Sequence, residues 1–401
     1  MTRWLSVIGI GDDGLTGLSV AARTLLDQAE VLVGGERHLA MVPADARERL
    51  VWTKPFHRMI DEITRRRGMR VCVLGTGDPM WHGIGATLVK HIPATEMTVL
   101  PTLSAYSLAA GRLGWSLAQL DTISLHGHSL ELLNAYLQPG RRILALSENG
   151  GTPAKVAELL CRRGYERSRL IALEHLGGSR ERIREGIAAE WTFSDIADLN
   201  TLAIECRADP AVPLLSRIAG LPDAAFEHDG QLTKREVRAA TLAALAPIPG
   251  QLLWDVAAGC GSIAIEWMRA HADCRAVAIE RVPARLKMIA ANAVTLGVPD
   301  LTVISGDAPA ALAGLDAPDA VFIGGGATTP GLFETCWSRL KRGGRLVANA
   351  VTIEGERQLF AWRDAIGGEL VRFGIEHAAN IGPYGAWHPS RPVTQFQARK
   401  P

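Results

Sequence analysis

Asp255, Gly259 and Gly261 stand in the spacing D-x-x-x-G-x-G at the end of the apolar run Leu252–Val256, and a helix is expected to start near Ser262. Glycines at such a turn let the backbone bend tightly and approach a ligand, which in a doubly wound sheet lies in the crevice beyond the strand ends. The next apolar run, 276–279, ends in Glu280, an acid placed to accept hydrogen bonds from two ribose hydroxyls. The third, 301–304, leads to Gly306-Asp307-Ala308, where an acid can meet an adenine amino group. Three acids at three successive strand ends specify a nucleoside more narrowly than a glycine-rich loop alone. A dinucleotide would call for G-x-G-x-x-G with its pyrophosphate on the helix N-terminus. Here the third glycine is missing, and Asp255 would repel a pyrophosphate while suiting the ammonium of a methionine moiety. S-adenosylmethionine therefore fits this half of the chain better than NAD.

The first half carries a looser set of turns. Gly9, Gly11 and Gly14 form a literal G-x-G-x-x-G after the apolar run Leu5–Ile10. Asp12 and Asp13, however, put negative charge where a pyrophosphate would lie, and the run 31–33 ends in Gly34-Gly35-Glu36-Arg37 rather than in a lone acid. A second turn, Gly75-Thr-Gly77-Asp78-Pro79, follows the run 71–74. A third, Pro101-Thr-Leu-Ser104-Ala105, follows 98–100. Three such turns imply a cleft that holds its ligand through backbone groups.

Strand-like runs alternate with helical stretches almost throughout, which argues for parallel sheets. Runs at 143–146, 170–173 and 199–205 complete the first half. The stretch 206–222 has prolines and a glycine but no period, which places a domain boundary there and gives domains 1–209 and 210–401. The second half opens with a helix over 233–245, broken by Pro247, Pro249 and Gly250. Later runs at 275–279, 320–323 and 346–350 continue its sheet. A final pair, 370–376 and 393–398, flanks a loop rich in Gly and Pro and suits an antiparallel closure of that sheet. A chain of 401 residues, 47% apolar, exceeds one ordinary core and can bury two. Aromatics are only 5%, and abundant Ala and Gly let helices sit close on sheets.

Net charge of +1 leaves no whole-chain footprint for nucleic acid or an anionic membrane. No Asn/Asp-Pro-Pro-Tyr motif of nucleic-acid methylation occurs. No apolar stretch reaches spanning length. The short apolar start, followed by Asp12 and Asp13, does not read as a signal peptide. Six scattered cysteines without a CxxC pair read as reduced thiols of a cytoplasmic protein. His126-Gly-His128 lacks a companion Cys pair or carboxylate, so no metal site is expected.

The turns carry a family resemblance. The first half resembles the tetrapyrrole methylases of the corrin and sirohaem pathways through Gly9-Ile-Gly11 with Leu15-Thr16, Gly77-Asp78-Pro79, and the turn from Pro101 to Ser104. Leu125-His-Gly127, Glu174-His-Leu-Gly177 and Glu181-Arg-Ile183 match the subgroup acting at carbon 5 of precorrin. In that family the first turn is usually GPG; Asp12 stands in the proline's place. The resemblance implies a class III fold and cofactor contacts at Gly9, Gly11, Gly75, Gly77, Asp78, Ser104 and Ala105. The second half resembles the decarboxylating precorrin methyltransferases that act at carbon 15. The shared residues are Gly220-Leu-Pro-Asp223, Thr233-Lys234 with Glu236-Val-Arg238, Gly261-Ser262 with Glu266, Gly306-Asp-Ala-Pro309, Gly324-Gly-Gly326, and Asn349-Ala-Val351 with Glu354. A Rossmann-like class I fold is implied, with cofactor contacts at Asp255, Gly259, Gly261, Ser262, Glu280, Asp307 and Ala308.

The two resemblances cover nearly the whole chain. They imply an α/β enzyme of cobalamin biosynthesis with two S-adenosylmethionine sites. It would methylate a precorrin at carbons 5 and 15 and remove carbon dioxide from the ring C acetate at carbon 12, taking precorrin-6B to precorrin-8X. The partner is then a small-molecule tetrapyrrole, and family habit suggests a homo-oligomer. A substrate with many carboxylates calls for cations, and Lys234, Arg235 and Arg238 are the candidates. No residue declares itself as the proton donor for decarboxylation, so the catalytic residues stay open. The alternative is a bifunctional dehydrogenase/methyltransferase acting on another tetrapyrrole, against which the methylase turns of the first half speak.

Overall fold

The computed structural model describes residues 3–53 and 55–401. It divides into two units, Met1–His128 with Gln138–Val212, and Ser129–Leu137 with Pro213–Pro401. The excursion Ser129–Leu137 was not anticipated from the sequence. It is one 3₁₀ segment, Leu130–Ala135, that buries Leu133, Asn134 and Ala135. Asn134 donates its side-chain amide to the Val294 carbonyl at 3.1 Å. Gly297, at φ 81°, lies so close that a Cβ there would be 2.2 Å from the Ala135 nitrogen.

The first unit contains two five-stranded sheets. One comprises β1 (Leu5–Ile10), β2 (Val31–Gly34), β3 (Glu48–Val51), β4 (Val71–Thr76) and β5 (Met97–Leu100), in the order β3-β2-β4-β1-β5. It is parallel throughout. Val31 to Val33 and Val71 to Leu74 are buried on both faces, as a parallel sheet between helices requires. The other comprises β6 (Asp121–Ser124), β7 (Arg142–Leu146), β8 (Arg169–Glu174), β9 (Arg182–Ile187) and β10 (Asn200–Glu205), in the order β6-β7-β10-β8-β9. Here the expectation of parallel sheets fails: only β6 and β7 run parallel. The link 175–181 between β8 and β9 is too short for a parallel crossover of a dozen or more residues, so that pair must be antiparallel.

The second unit holds a seven-stranded sheet. Its members are β11 (Leu252–Val256), β12 (Arg275–Glu280), β13 (Thr302–Ser305), β14 (Ala320–Ile323), β15 (Arg345–Ala350), β16 (Glu369–Phe373) and, after the hairpin below, β19 (Val393–Arg399). The order is β13-β12-β11-β14-β15-β19-β16, with β19 antiparallel to both neighbours. Side chains of β11 alternate between two cores: Leu252, Trp254 and Val256 pack with Val321, Ile323 and Phe396, whereas Leu253 packs with Ile263, Ala264 and Trp267. Asp255 follows the parity of Leu253, on the face covered by the helix Ser262–Ala270. In place of the expected irregular loop, β17 (Glu376–Ile381) and β18 (Tyr384–Pro389) form an antiparallel hairpin of their own. Among the described residues no helix is long and apolar enough to cross a membrane. All six cysteines are free thiols.

Candidate cofactor and substrate sites

In the second unit the strand-end acids and the glycine turn are tied together by main-chain donors. Glu280 is buried. One of its carboxylate oxygens accepts from the Gly259 nitrogen at 2.9 Å, and the other accepts from the nitrogens of Arg281 and Val282, each at 3.0 Å. The turn after β13 joins through Gly306, whose nitrogen donates to the Glu280 carbonyl at 3.1 Å. Gly259 and Gly261 both have positive φ, 61° and 80°, which glycine adopts at little cost. Ala257 has φ 57° without that excuse, and such strain in a non-glycine residue gathers at ligand sites. The Gly324-Gly-Gly326 turn after β14 rests on it: a Cβ at Gly325 would lie 3.6 Å from the Ala257 methyl.

Asp255 is 1% exposed. Its Oδ2 accepts from the Ala264 nitrogen, in the first turn of the helix Ser262–Ala270, at 3.0 Å. Its Oδ1 is buried with no partner among the described residues. Burial pushes this carboxyl up to about 7, the Glu280 charge adding to the rise and the Ala264 amide opposing it. A buried acceptor left unmatched is costly, which fits a site completed by a cationic ligand group such as an ammonium. Asp307, by contrast, has 75% of its side chain exposed and only a 3.5 Å ion pair with Arg281. Ala308 beside it is half-buried.

The three candidate substrate cations separate. Lys234 and Arg235 are exposed at the start of the helix Arg235–Leu245, with Lys234 3.7 Å from Asp223. Arg238 must be withdrawn as a substrate contact. It is fully buried; its Nε donates to Glu266 at 2.6 Å, its Nη1 to Asp223 at 3.0 Å and to the Thr233 carbonyl, and its Nη2 to the Leu221 carbonyl. Its plane also faces the Phe226 ring at 4.8 Å. Glu266 in turn accepts from the nitrogens of Gly220 and Leu221. The residues Gly220, Asp223, Arg238 and Glu266, read from the sequence as shared motifs, form one internal clasp.

In the first unit the three glycine turns meet main chain to main chain. The Gly77 nitrogen donates to the Ile10 carbonyl at 3.2 Å, and the Thr102 nitrogen donates to the Gly77 carbonyl at 3.2 Å. Gly9 is packed so closely that a Cβ would lie 1.9 Å from the Gly77 oxygen and 2.7 Å from the Thr102 nitrogen. Gly77, at φ 60°, faces the backbone of Ser104 and Ala105. Gly75 meets Ile84. Asp78 accepts from the Met80 nitrogen at 2.8 Å and shapes its own turn. Ser104 caps the helix Ala105–Leu113 by accepting from the Ser107 nitrogen. At Gly11 the nearest atoms to a Cβ would be those of the Asp13 side chain and backbone.

Sequence reasoning missed a cluster beside these turns. Asp12 is not the bare charge it looked to be: it accepts from Arg37 and contacts His175, each at 3.0 Å. Arg37 and His38 both reach Thr76. The charged residues after β2 were the visible signal.

Comparison with known proteins matches the tetrapyrrole (corrin/porphyrin) methylases over residues 5–191 and a precorrin methyltransferase domain over 224–400. A precorrin-6Y C(5,15)-methyltransferase [decarboxylating] of a Sinorhizobium species is 48% identical, the alignment covering 100% of this chain and 97% of that protein. Its counterpart from Mycobacterium tuberculosis is 41% identical over 98% of this chain and 99% of its own. A cobalt-precorrin-7 C(5)-methyltransferase of Salmonella typhimurium is 30% identical over 45% of this chain and 88% of its own length.

Proposed function

The chain belongs to the family of the precorrin-6Y C(5,15)-methyltransferases (decarboxylating), and on that premise we propose that its two units divide the reaction, each with its own S-adenosylmethionine site. The first unit methylates carbon 5. The second methylates carbon 15 and removes carbon dioxide from the ring C acetate, so that precorrin-6B becomes precorrin-8X. The observation that carries this reading is the pair of independent strand-end turn sets, each confined to one unit and to one family match.

Bound S-adenosylmethionine supplies an electrophilic methyl group; the chain's residues hold the reactants in line. In the second unit Asp255 receives the methionine ammonium on its unmatched oxygen, Glu280 accepts from the ribose hydroxyls with lone pairs its amide partners leave open, and Asp307 with Ala308 borders the adenine. In the first unit Gly9, Gly11, Gly75, Gly77, Asp78, Ser104 and Ala105 form a trough of main-chain groups. Lys234 and Arg235 offer charge to the substrate's carboxylates. The meso carbons are nucleophilic through the tetrapyrrole's own conjugation, so neither unit needs a strong base. The enzyme acts in the cytoplasm as a homo-oligomer, which light scattering of the full chain checks. Calorimetry with S-adenosylhomocysteine should give two sites per chain. With precorrin-6B and labelled S-adenosylmethionine the product should gain two methyls and lose carbon dioxide. One site with both units folded, or a product with one methyl, would overturn the reading.

A further inference from the structure

At the carboxyl edge of the first unit's parallel sheet, next to Gly77, side chains from four segments converge. Asp12, its side chain only 7% exposed, follows β1 and joins Arg37 to His175, the latter held at φ 50° after β8. Arg37 and His38 follow β2, and each lies 2.9 Å from the Thr76 hydroxyl at the end of β4. Arg37 Nη2 also lies 3.2 Å from His38 Nε2. A guanidinium can only donate, so His38 Nε2 accepts and the ring proton sits on Nδ1. Burial, with Arg37 adding to it, lowers the His38 pKa to about 4, so the ring stays neutral.

That Nδ1–H is buried and has no partner among the described residues. Beside it stands Gly35, with no side chain of its own. A Cβ on Gly35 would find His38 Nδ1 at 3.6 Å and, among the described residues beyond its chain neighbours, no other atom within 4 Å. Gly35 has φ −69° and ψ 158°, ordinary for any residue, so it contributes space and not backbone freedom. Arg37 uses three contacts, to Asp12, Thr76 and His38, of the five N–H groups a guanidinium carries. The turns after β4 and β5 add exposed apolar side chains at Met80, Trp81 and Leu103, a surface suited to a flat macrocycle with carboxylates on its rim.

We propose that Gly35, Arg37 and His38 form a notch that takes one peripheral carboxylate of the tetrapyrrole in the first unit, with Asp12 as the positioning residue that aims Arg37. Arg37 donates from its remaining N–H groups, the neutral His38 steadies Arg37 through Nε2, and the carboxylate lies beside Gly35. The notch rests on the assignment of carbon 5 methylation to this unit.

Gly35→Val tests it in the full chain, because it fills the space without breaking any bond of the cluster. The KM for tetrapyrrole in carbon 5 methylation should rise about ten- to a hundredfold, the worth of one or two charge-assisted hydrogen bonds. kcat, S-adenosylhomocysteine affinity and melting temperature should stay near the parent's. Arg37→Gln should raise the same KM and Arg37→Lys restore part of it. Asp12→Asn should raise it less, and Asp12→Glu should rescue. Carbon 5 and carbon 15 KM values both unchanged in a folded Gly35→Val protein overturn the notch, as does a matching loss of S-adenosylhomocysteine affinity, which would give the space to the cofactor. A rise in the carbon 15 KM alone keeps the notch as a carboxylate site and overturns the division of labour between units.

Discussion

In the first unit the turns after β1, β4 and β5 are tied to one another by main-chain hydrogen bonds and by the absence of side chains at Gly9 and Gly77. In the second, the turns after β11 and β12 are tied by carboxylates, Asp255 to the Ala264 amide and Glu280 to three amides. On the proposed reading the same kind of cofactor would be held by shape in one case and by charge in the other. A shape-built site is sensitive to a single added methyl group and indifferent to pH. A charge-built site tolerates volume better and responds to protons.

The sharpest way to break this contrast is Gly9→Ala. The added carbon meets backbone atoms of two other turns, which cannot swing aside. Carbon 5 methylation should fall at least about a hundredfold, a loss of roughly 3 kcal/mol or more of binding and alignment. Calorimetric stoichiometry should drop from two to one while carbon 15 methylation continues. Arg238→Ala comes next, because it strands the buried Glu266 carboxylate. Removing one partner of a buried pair costs about 3–5 kcal/mol, so melting of the second unit should fall well below the parent's. Had Arg238 been a substrate contact, KM would rise with the melting curve unmoved.

Asp255→Asn should weaken S-adenosylhomocysteine binding in the second unit about ten- to a hundredfold. Its carboxyl titrates at about 7 when buried, above the usual value near 3.9 in an unfolded chain. The unliganded second unit is therefore favoured while Asp255 is protonated, fully so below about pH 4, and that contribution disappears as pH rises through about 7. Melting temperature of the unliganded second unit should decline across this window, and Asp255→Asn should flatten the decline. Binding near pH 6 should release a proton at this site, visible as a calorimetric enthalpy that varies with the buffer. Asp307→Ala is the mildest. An exposed ion pair is worth about 0–1 kcal/mol, so binding should change no more than a few-fold.

The interior strands were legible from sequence because burial on both faces writes a continuous apolar run; β1, β11 and β14 coincide with such runs. In the three larger sheets the strands that escaped were β3, β6 and β9, and all three lie at sheet edges. β9, Arg-Ile-Arg-Glu-Gly-Ile, has charges along its length because a sheet edge is better guarded than buried. The hairpin of β17 and β18 was hidden by its exposure, since neither strand has a buried face to pattern. At the sites, the acids at the carboxyl ends of β11 and β12 could be placed by register alone. Arg238 could not: it shares a helix turn with the exposed Arg235, and its partner Glu266 is 28 residues away. Asp12 and His175 stand 163 residues apart, a pairing that no local spacing announces.

The excursion Ser129–Leu137 bears on how the chain is made. Asn134 leaves the ribosome 160 residues ahead of Val294, the residue that accepts its hydrogen bond. At about 5–20 residues per second that is a wait of roughly 8 to 32 seconds. During it the first unit, complete by Val212, can close around its own sheets while Leu133, Ala135 and Leu137 stay uncovered. The nascent protein thus carries a small apolar tab that belongs to a unit not yet translated. Covering that tab waits for the stretch Val294 to Gly297, so a chain stalled or cleaved near residue 213 would leave it exposed.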